Sequence, residues 1–295
     1  MRIFFALLLT SFFLKSFSQA RFPALSAKGQ IVQKVGFSTI EIEYERPAAR
    51  GRIIFGDLVP YDKIWRTGAG NCPKIKFSDS VIVGGKTLGA GTYSLLSIPG
   101  KNEWTIILNQ DTSLYGTDSY DKKRDVARFQ VNSEKTSRYY ESFTCEIDVV
   151  PNDAEIYLSW ANEQVHFKVG TTSDKRTMDF IQRSLLTGKS SDPDEYATGA
   201  EYFIYRNTEL DKALSLIDKA IQIKETAWYY RLKTDILENQ KKYGQAIDLL
   251  QSLVVAAPKM SRSLGWNPNF EQEMIDGYNS RINSIRKKLA QNDGR

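Results

Sequence analysis

The sequence predicts an α+β multidomain chain, an N-terminal all-β antiparallel sandwich (or a barrel-like variant of one) followed by an all-α helical-repeat domain. Three observations predict it. Between Gln30 and about Gly170 apolar and polar residues alternate, the period of a half-buried strand. After Gly170 the apolar residues recur three and four apart, the period of an amphipathic helix. No helix-period segment interrupts the first half, so the crossovers that a parallel sheet needs are missing. The expected boundaries are a signal peptide over 1–18 (cleavage as late as residue 20), a β domain over 26–170 and a helical domain over 173–291.

The chain opens with MRIFFALLLTSFFLKSFSQA. Arg2 gives a positive start, Ile3 to Leu14 is an apolar run broken only by Thr10 and Ser11, and Ser16-Phe17-Ser18 places small residues two apart. That is the layout of a secretory signal peptide. The run is shorter than the roughly 20 residues of a membrane span. Cleavage is expected before Gln19 or just after Ala20, and without a Leu-x-x-Cys no lipid anchor is expected. The mature protein is therefore expected to be exported, periplasmic or secreted, with no transmembrane segment. The formal net charge of +5 includes Arg2 and Lys15, which are expected to leave with the signal. The remainder is too small and too scattered for a nucleic-acid partner.

The strands follow in order. In STIEIEYER, Ile40, Ile42 and Tyr44 alternate with Glu41, Glu43 and Glu45, giving a dry face and a wet acidic one. Gly84-Gly85 separates VIV from KTL as a tight hairpin turn would. Pro99-Gly100 and Pro151-Asn152-Asp153 mark further turns between EWTIILN, RDVARFQVN, ESFTCEIDVV, DAEIYLSW and EQVHFKV.

Between the early strands lies GRIIFGDLVPYDKIWRTGAG, Gly51 to Gly70. Its glycines allow backbone geometry that other residues resist, and Pro60 withholds a ladder donor. It reads as ordered loop, with Ile53, Ile54, Phe55, Leu58 and Val59 packed against the sheet. Arg46, Arg50, Arg52 and Arg66 lie within about twenty residues, with Tyr61 and Trp65 beside them. A guanidinium offers a fork of donors to an anion, and an indole or phenol stacks on a sugar ring. The candidate ligand site is Arg46, Arg52, Tyr61, Trp65 and Arg66. The competing reading has these arginines satisfying loop carbonyls or pairing with Asp57, Asp62 or the Glu41/Glu43/Glu45 face, and Trp65 in the core. On the ligand reading, alanine at Trp65 or Arg66 lowers affinity and leaves the melting temperature nearly unchanged.

After residue 170, Ser173-Asp174 would cap a helix through DKRTMDFIQRSLL that Gly188 stops. DKALSLIDKA then aligns with GQAIDLLQSL at an offset of 33, Ala213 over Ala246 and Ala220 over Leu253, with Pro258 twelve residues past Ala246. These positions resemble the tetratricopeptide repeat, in which a small residue opens the second helix and a proline ends it. A plain antiparallel bundle is the alternative. The last helix, about Asn269 to Gln291, carries Arg281, Arg286, Lys287 and Lys288, which suit a helix C-terminus.

Chemistry-bearing residues are few. A Cys72–Cys145 disulfide would be permissible after export and would stabilise by about 4 kcal/mol. Cys145 also reads as a small core residue, sharing a strand face with Phe143 and Ile147. His166 is the only histidine, and no Gly-x-Ser-x-Gly accompanies it, so a Ser-His-Asp site, a zinc site and any cofactor are not expected. Asp111, Asp118, Asp121 and Asp125 share one loop; paired across a groove they would suit glycoside hydrolysis, and otherwise they are a solvated loop tip.

The runs YERPAARGRIIFGDLVPYDKIWRTGAG, VIVGGKTLGAGTYSLLSIPG, EWTIILN and LSWANEQVHFKV resemble the exported bacterial domain-of-unknown-function family numbered 2911, over about Ser26 to Val169. The resemblance implies an independently folding, exported β domain and supplies no catalytic residues. The function expected is non-catalytic: the β domain binds a glycan or anionic ligand, and the helical repeats bind a protein partner. The alternative is a carboxylate-dependent hydrolase acting on envelope carbohydrate.

Overall fold

The computed structural model describes residues 23–265 and 267–293. The expected signal peptide, 1–18, lies outside the described residues. The chain forms two compact units divided between Thr171 and Thr172.

The first unit contains β1 (Ala27–Val35), β2 (Ser38–Arg46), β3 (Lys74–Phe77), β4 (Val81–Val83), β5 (Lys86–Leu88), β6 (Gly91–Pro99), β7 (Glu103–Asn109), β8 (Asp125–Val150) and β9 (Asp153–Thr171). They form one sheet in the order β1-β2-β3-β6-β7-β8-β9-β4-β5. Every neighbouring pair is antiparallel. In β2, Ile40, Ile42 and Tyr44 are buried, and the glutamates take the wetter face. Gly84 and Gly85 have φ of 55° and 76° and close the β4–β5 hairpin, since two successive left-handed residues match the twist of the flanking strands.

β8 and β9 run to 26 and 19 residues, and both bend. His166 Nδ1 lies 3.2 Å from Glu155 Oε2, and Lys168 Nζ lies 2.8 Å from Asp153 Oδ2. Eleven extended residues would separate such groups by about 36 Å. β9 therefore doubles back at Ala161, where φ is +52°. β8 follows it: Ser133–Lys135 face Val165–Glu163, and Thr144–Val150 face Ser159–Asp153, with register shifts between. The four strands expected as RDVARFQVN, ESFTCEIDVV, DAEIYLSW and EQVHFKV are the arms of these two bent strands.

The sheet then rolls onto itself. Just past β2, the Ala49 N–H donates to the Glu141 carbonyl at 2.7 Å and the Phe143 N–H donates to the Pro47 carbonyl at 2.9 Å. The Tyr44 hydroxyl accepts from the Cys145 N–H at 3.1 Å. The two layers are thus faces of one rolled sheet, the barrel-like form, rather than two separate sheets. Ile40, Ile42, Phe77, Leu95, Ile106, Phe143, Ile156 and Val165 fill the interior. Leu96, Ile107, Cys72 and Leu114 form a smaller cluster on the other face of β6 and β7.

That division decides the cysteines. Cys145 belongs to the interior cluster and Cys72 to the outer one, and both are buried free thiols. The disulfide is not formed, because neighbouring residues of β6 and β7 send the two clusters to opposite faces of the sheet.

The second unit, among the described residues, comprises α1 (Ser173–Phe180), continued by a wider π turn over Ile181–Leu185, then α2 (Pro193–Arg206), α3 (Leu210–Ile223), α4 (Ala227–Asn239), α5 (Tyr243–Leu264) and α6 (Pro268–Asp293). Asp192 caps α2, its carboxylate accepting from the Asp194 N–H, with Pro193 in the first turn, where no donor is needed. Ala213, Ala220, Ala246 and Leu253, the positions aligned by the internal offset, are all buried. Pro258 does not end α5, which continues to Leu264. A proline inside a helix removes one helical hydrogen bond without obliging the helix to end, and Ala257 beside it and Ser261 one turn on are both buried. Arg281 and Lys288 of α6 do not serve their own helix end. Both bond Glu238 of α4, and Arg281 also bonds Asp235. No helix of the described residues is long and apolar enough to cross a membrane.

Candidate functional site

A groove of about 400 Å³ opens in the first unit where the chain after β2 joins β8. The indoles of Trp65 and Trp160 line its depth, Pro47, Ala48, Leu58 and Val59 its walls, and Arg50, Arg52 and Arg66 its polar rim.

The loop Gly51–Gly70 builds this groove from local rules. The Trp65 N–H donates to the Ser97 carbonyl at 2.7 Å, and the Ser97 N–H returns the bond to Trp65 at 3.0 Å, so the loop is pinned to β6. Beneath it the aromatic rings interlock. Trp65 stacks on Trp160 at 5.9 Å with 14° between planes, and meets Phe55, Trp104 and Phe143 edge-on. Ile54 and Val59 are buried as expected, but Ile53 and Leu58 are 70% and 43% exposed, so the loop is only half submerged. Gly70 has φ of +57°, and a Cβ there would lie 2.4 Å from the Glu45 carboxylate, so the WRTGAG run needs its last glycine for both reasons.

The guanidiniums are oriented by backbone carbonyls. Arg52 donates from Nε to Ala49 at 2.9 Å and from Nη2 to Ala48 at 2.6 Å. Arg50 Nη2 donates to Leu25 at 3.0 Å, and Arg66 Nη1 donates to Gly70 at 3.2 Å. Each guanidinium has five N–H donors, so most remain free. Among the described residues none of the three pairs with a carboxylate, whereas Arg124, Arg128, Arg206 and Arg281 all do. The acidic groups nearby are Glu141, which accepts from the Arg50 backbone N–H at 2.8 Å, and Glu45, which lies against Gly70. The arrangement presents guanidinium donors, fixed by their carbonyl bonds, above an aromatic and aliphatic floor.

Of the five residues singled out by sequence, Arg52, Trp65 and Arg66 come together here, and Arg46 and Tyr61 do not line the groove. Arg46 instead fastens β2 to β8, donating to the Phe143 carbonyl at 3.2 Å and the Thr144 hydroxyl at 3.0 Å. Tyr61 lies over Gly56, where an added Cβ would come within 2.8 Å of its ring. Trp65 is only 9% exposed, so its large area is core and only an edge is offered to a ligand. Sequence reasoning missed Arg50, although it stands in the same Arg-rich run, and Trp160, which lies ninety-odd residues further on and arrives only through the roll of the sheet.

Three of the four loop aspartates are engaged in local bonds. Asp111 accepts from the Ser113 hydroxyl and N–H and pairs with Arg124 at 2.5 Å. Those Ser113 bonds foremost, aided by Arg124 and Lys74, lower its pKa, which keeps it ionised and unsuited to donate a proton. Asp121 caps the short turn Lys122–Arg124, Asp125 is held by Asn109, Tyr120 and Arg128, and Asp118 is exposed. His166 faces away from buried Val165 and Phe167, stacks on Tyr157 at 5.2 Å and sits between Glu155 and Glu134. No group of three metal-ligating side chains is found among the described residues.

Fold and site together define a rolled antiparallel β domain bearing an arginine-rimmed aromatic groove. Residues 26–169 match the DUF2911 family, described as a protein of unknown function. No curated protein and no solved structure matches the chain.

Proposed function

We propose that this is an exported, non-catalytic binding protein whose β domain holds an anionic ligand, such as an acidic glycan unit, in the groove rimmed by Arg50, Arg52 and Arg66. One observation carries the reading: three guanidiniums border a single groove, none has a carboxylate partner among the described residues, and their free donors remain available. Unpaired positive charge in a concave, partly apolar setting favours an anion, and a charge-assisted bond there is stronger than a neutral one. Export rests on the signal-like first 18 residues, and a periplasmic or secreted location follows from it. The helical unit is read as a tetratricopeptide-like stack offering its surface to a protein partner, supported by burial of both members of each aligned pair, Ala213/Ala246 and Ala220/Leu253. The hydrolase reading has less support, because Asp111, Asp121 and Asp125 are engaged in capping bonds and ion pairs and Asp118 is exposed.

Calorimetric titration of the mature chain with glucuronate and with glucose tests the anion site. Glucuronate is expected to bind, more weakly as salt rises and more weakly in Arg66→Gln, and glucose is not. Equal binding of the two sugars, or glucuronate binding indifferent to Arg66→Gln, would rule the anion site out.

A further inference from the structure

The groove that holds the unpaired guanidiniums is not polar throughout. Its walls are Pro47, Ala48, Leu58 and Val59, and its depth is indole. Leu58 at the lip is 43% exposed and Leu25, also lining the groove, is 78% exposed. Large aliphatic side chains left in water beside an anion site gain nothing from a small hydrated ion, whose shell they would only displace. They gain from an apolar group laid along them. A volume of about 400 Å³ is also larger than a bare anion requires. At roughly 30 Å³ per water-sized unit it admits about a dozen heavy atoms.

From this juxtaposition we infer that the ligand class is an amphiphilic anion, a carboxylate or phosphate carried on an aliphatic group. The head meets Arg50, Arg52 and Arg66, and the tail lies on Leu58, Val59 and the edge of Trp65. The inference rests on the anion site proposed above and adds the apolar half of the recognition. It also gives a role to the exposure of Leu58 at the groove, where Ile54 and Val59 of the same loop are submerged. Ile53 is 70% exposed yet does not line the groove, so it provides a matched control.

The test titrates the full mature chain with acetate, octanoate and octanol, in the wild type and in Arg66→Gln, Leu58→Ser and Ile53→Ser. Octanoate is expected to bind at least about tenfold more tightly than acetate, since each buried methylene contributes favourably. Octanol should bind weakly. Leu58→Ser should reduce octanoate binding several-fold without changing acetate binding, Arg66→Gln should reduce both, and Ile53→Ser should change neither. Both serine variants replace exposed side chains, so their folding is checked by an unchanged melting curve. Acetate and octanoate binding equally, both lost in Arg66→Gln, would overturn the amphiphile and leave the anion site standing. Octanoate and octanol binding alike, with no effect of Arg66→Gln, would overturn both.

Discussion

Trp65→Ala separates packing from recognition. Trp65 is 9% exposed, stacks on Trp160 at 5.9 Å, and touches Phe55, Trp104 and Phe143 edge-on. Burying a tryptophan removes about 200 Å² from water, worth about 5 kcal/mol at about 25 cal/mol per Å². Measured Trp→Ala losses in cores run about 3–5 kcal/mol, and the four ring contacts place this site near the upper end. In a unit of this size that is a fall in melting temperature of about 10–15 °C. Near-UV circular dichroism reads it directly, because the clustered indoles of the first unit dominate that signal. Trp65→Phe should recover more than half of the loss. A melting temperature within about 2 °C of wild type, accompanied by lost ligand affinity, would refute the packing account and restore the role the sequence first suggested.

Gly84→Ala should destabilise the first unit far more than Gly85→Ala, by more than about 2 kcal/mol against about 1 kcal/mol in urea titrations. Both positions have positive φ, but a Cβ on Gly84 would sit 2.1 Å from the Phe129 ring, and one on Gly85 meets nothing within 4 Å. Native Cys72 and Cys145 should resist alkylation that goes to completion in denaturant, and intact mass should show two thiols, because burial raises both thiol pKa values. Burial alone would raise the Glu238 carboxyl, but hydrogen bonds from Lys288 and Arg281 outweigh it and hold the pKa below its usual 4.5. Its stabilisation is therefore full above pH 4.5 and lost as pH falls through the lower folded value. The helical unit of Glu238→Gln should be about 1–2 kcal/mol less stable at neutral pH, by far-UV melting, and should show a shallower decline in acid than wild type.

Much of the architecture was legible in the sequence because period reports burial directly. STIEIEYER and EWTIILN became β2 and β7 with the expected bounds, and the change of period near residue 170 matches the passage from strands to helices. What escaped was long-range. Nothing local shows that β9 turns back at Ala161, or that Pro47 and Ala49 bond to the second half of β8 and roll the sheet closed. The site divides along the same line. Arg52 and Arg66 belong to the groove through their own loop, and Trp160 reaches it only through that closure. Arg46 and Tyr61 were misplaced because composition does not reveal which way a side chain turns: Arg46 points across to β8 and Tyr61 onto Gly56. Pro258 misled because a proline's penalty is finite, so a helix with buried residues on both sides of it, Ala257 and Ser261, runs on to Leu264.

The most direct measurement is a crystal structure of the mature chain grown with octyl phosphate. The phosphate is expected among Arg50, Arg52 and Arg66, with the alkyl chain lying against Leu58 and Val59. A groove left empty at saturating ligand, with the three guanidiniums swung onto Glu45 and Glu141, would contradict it.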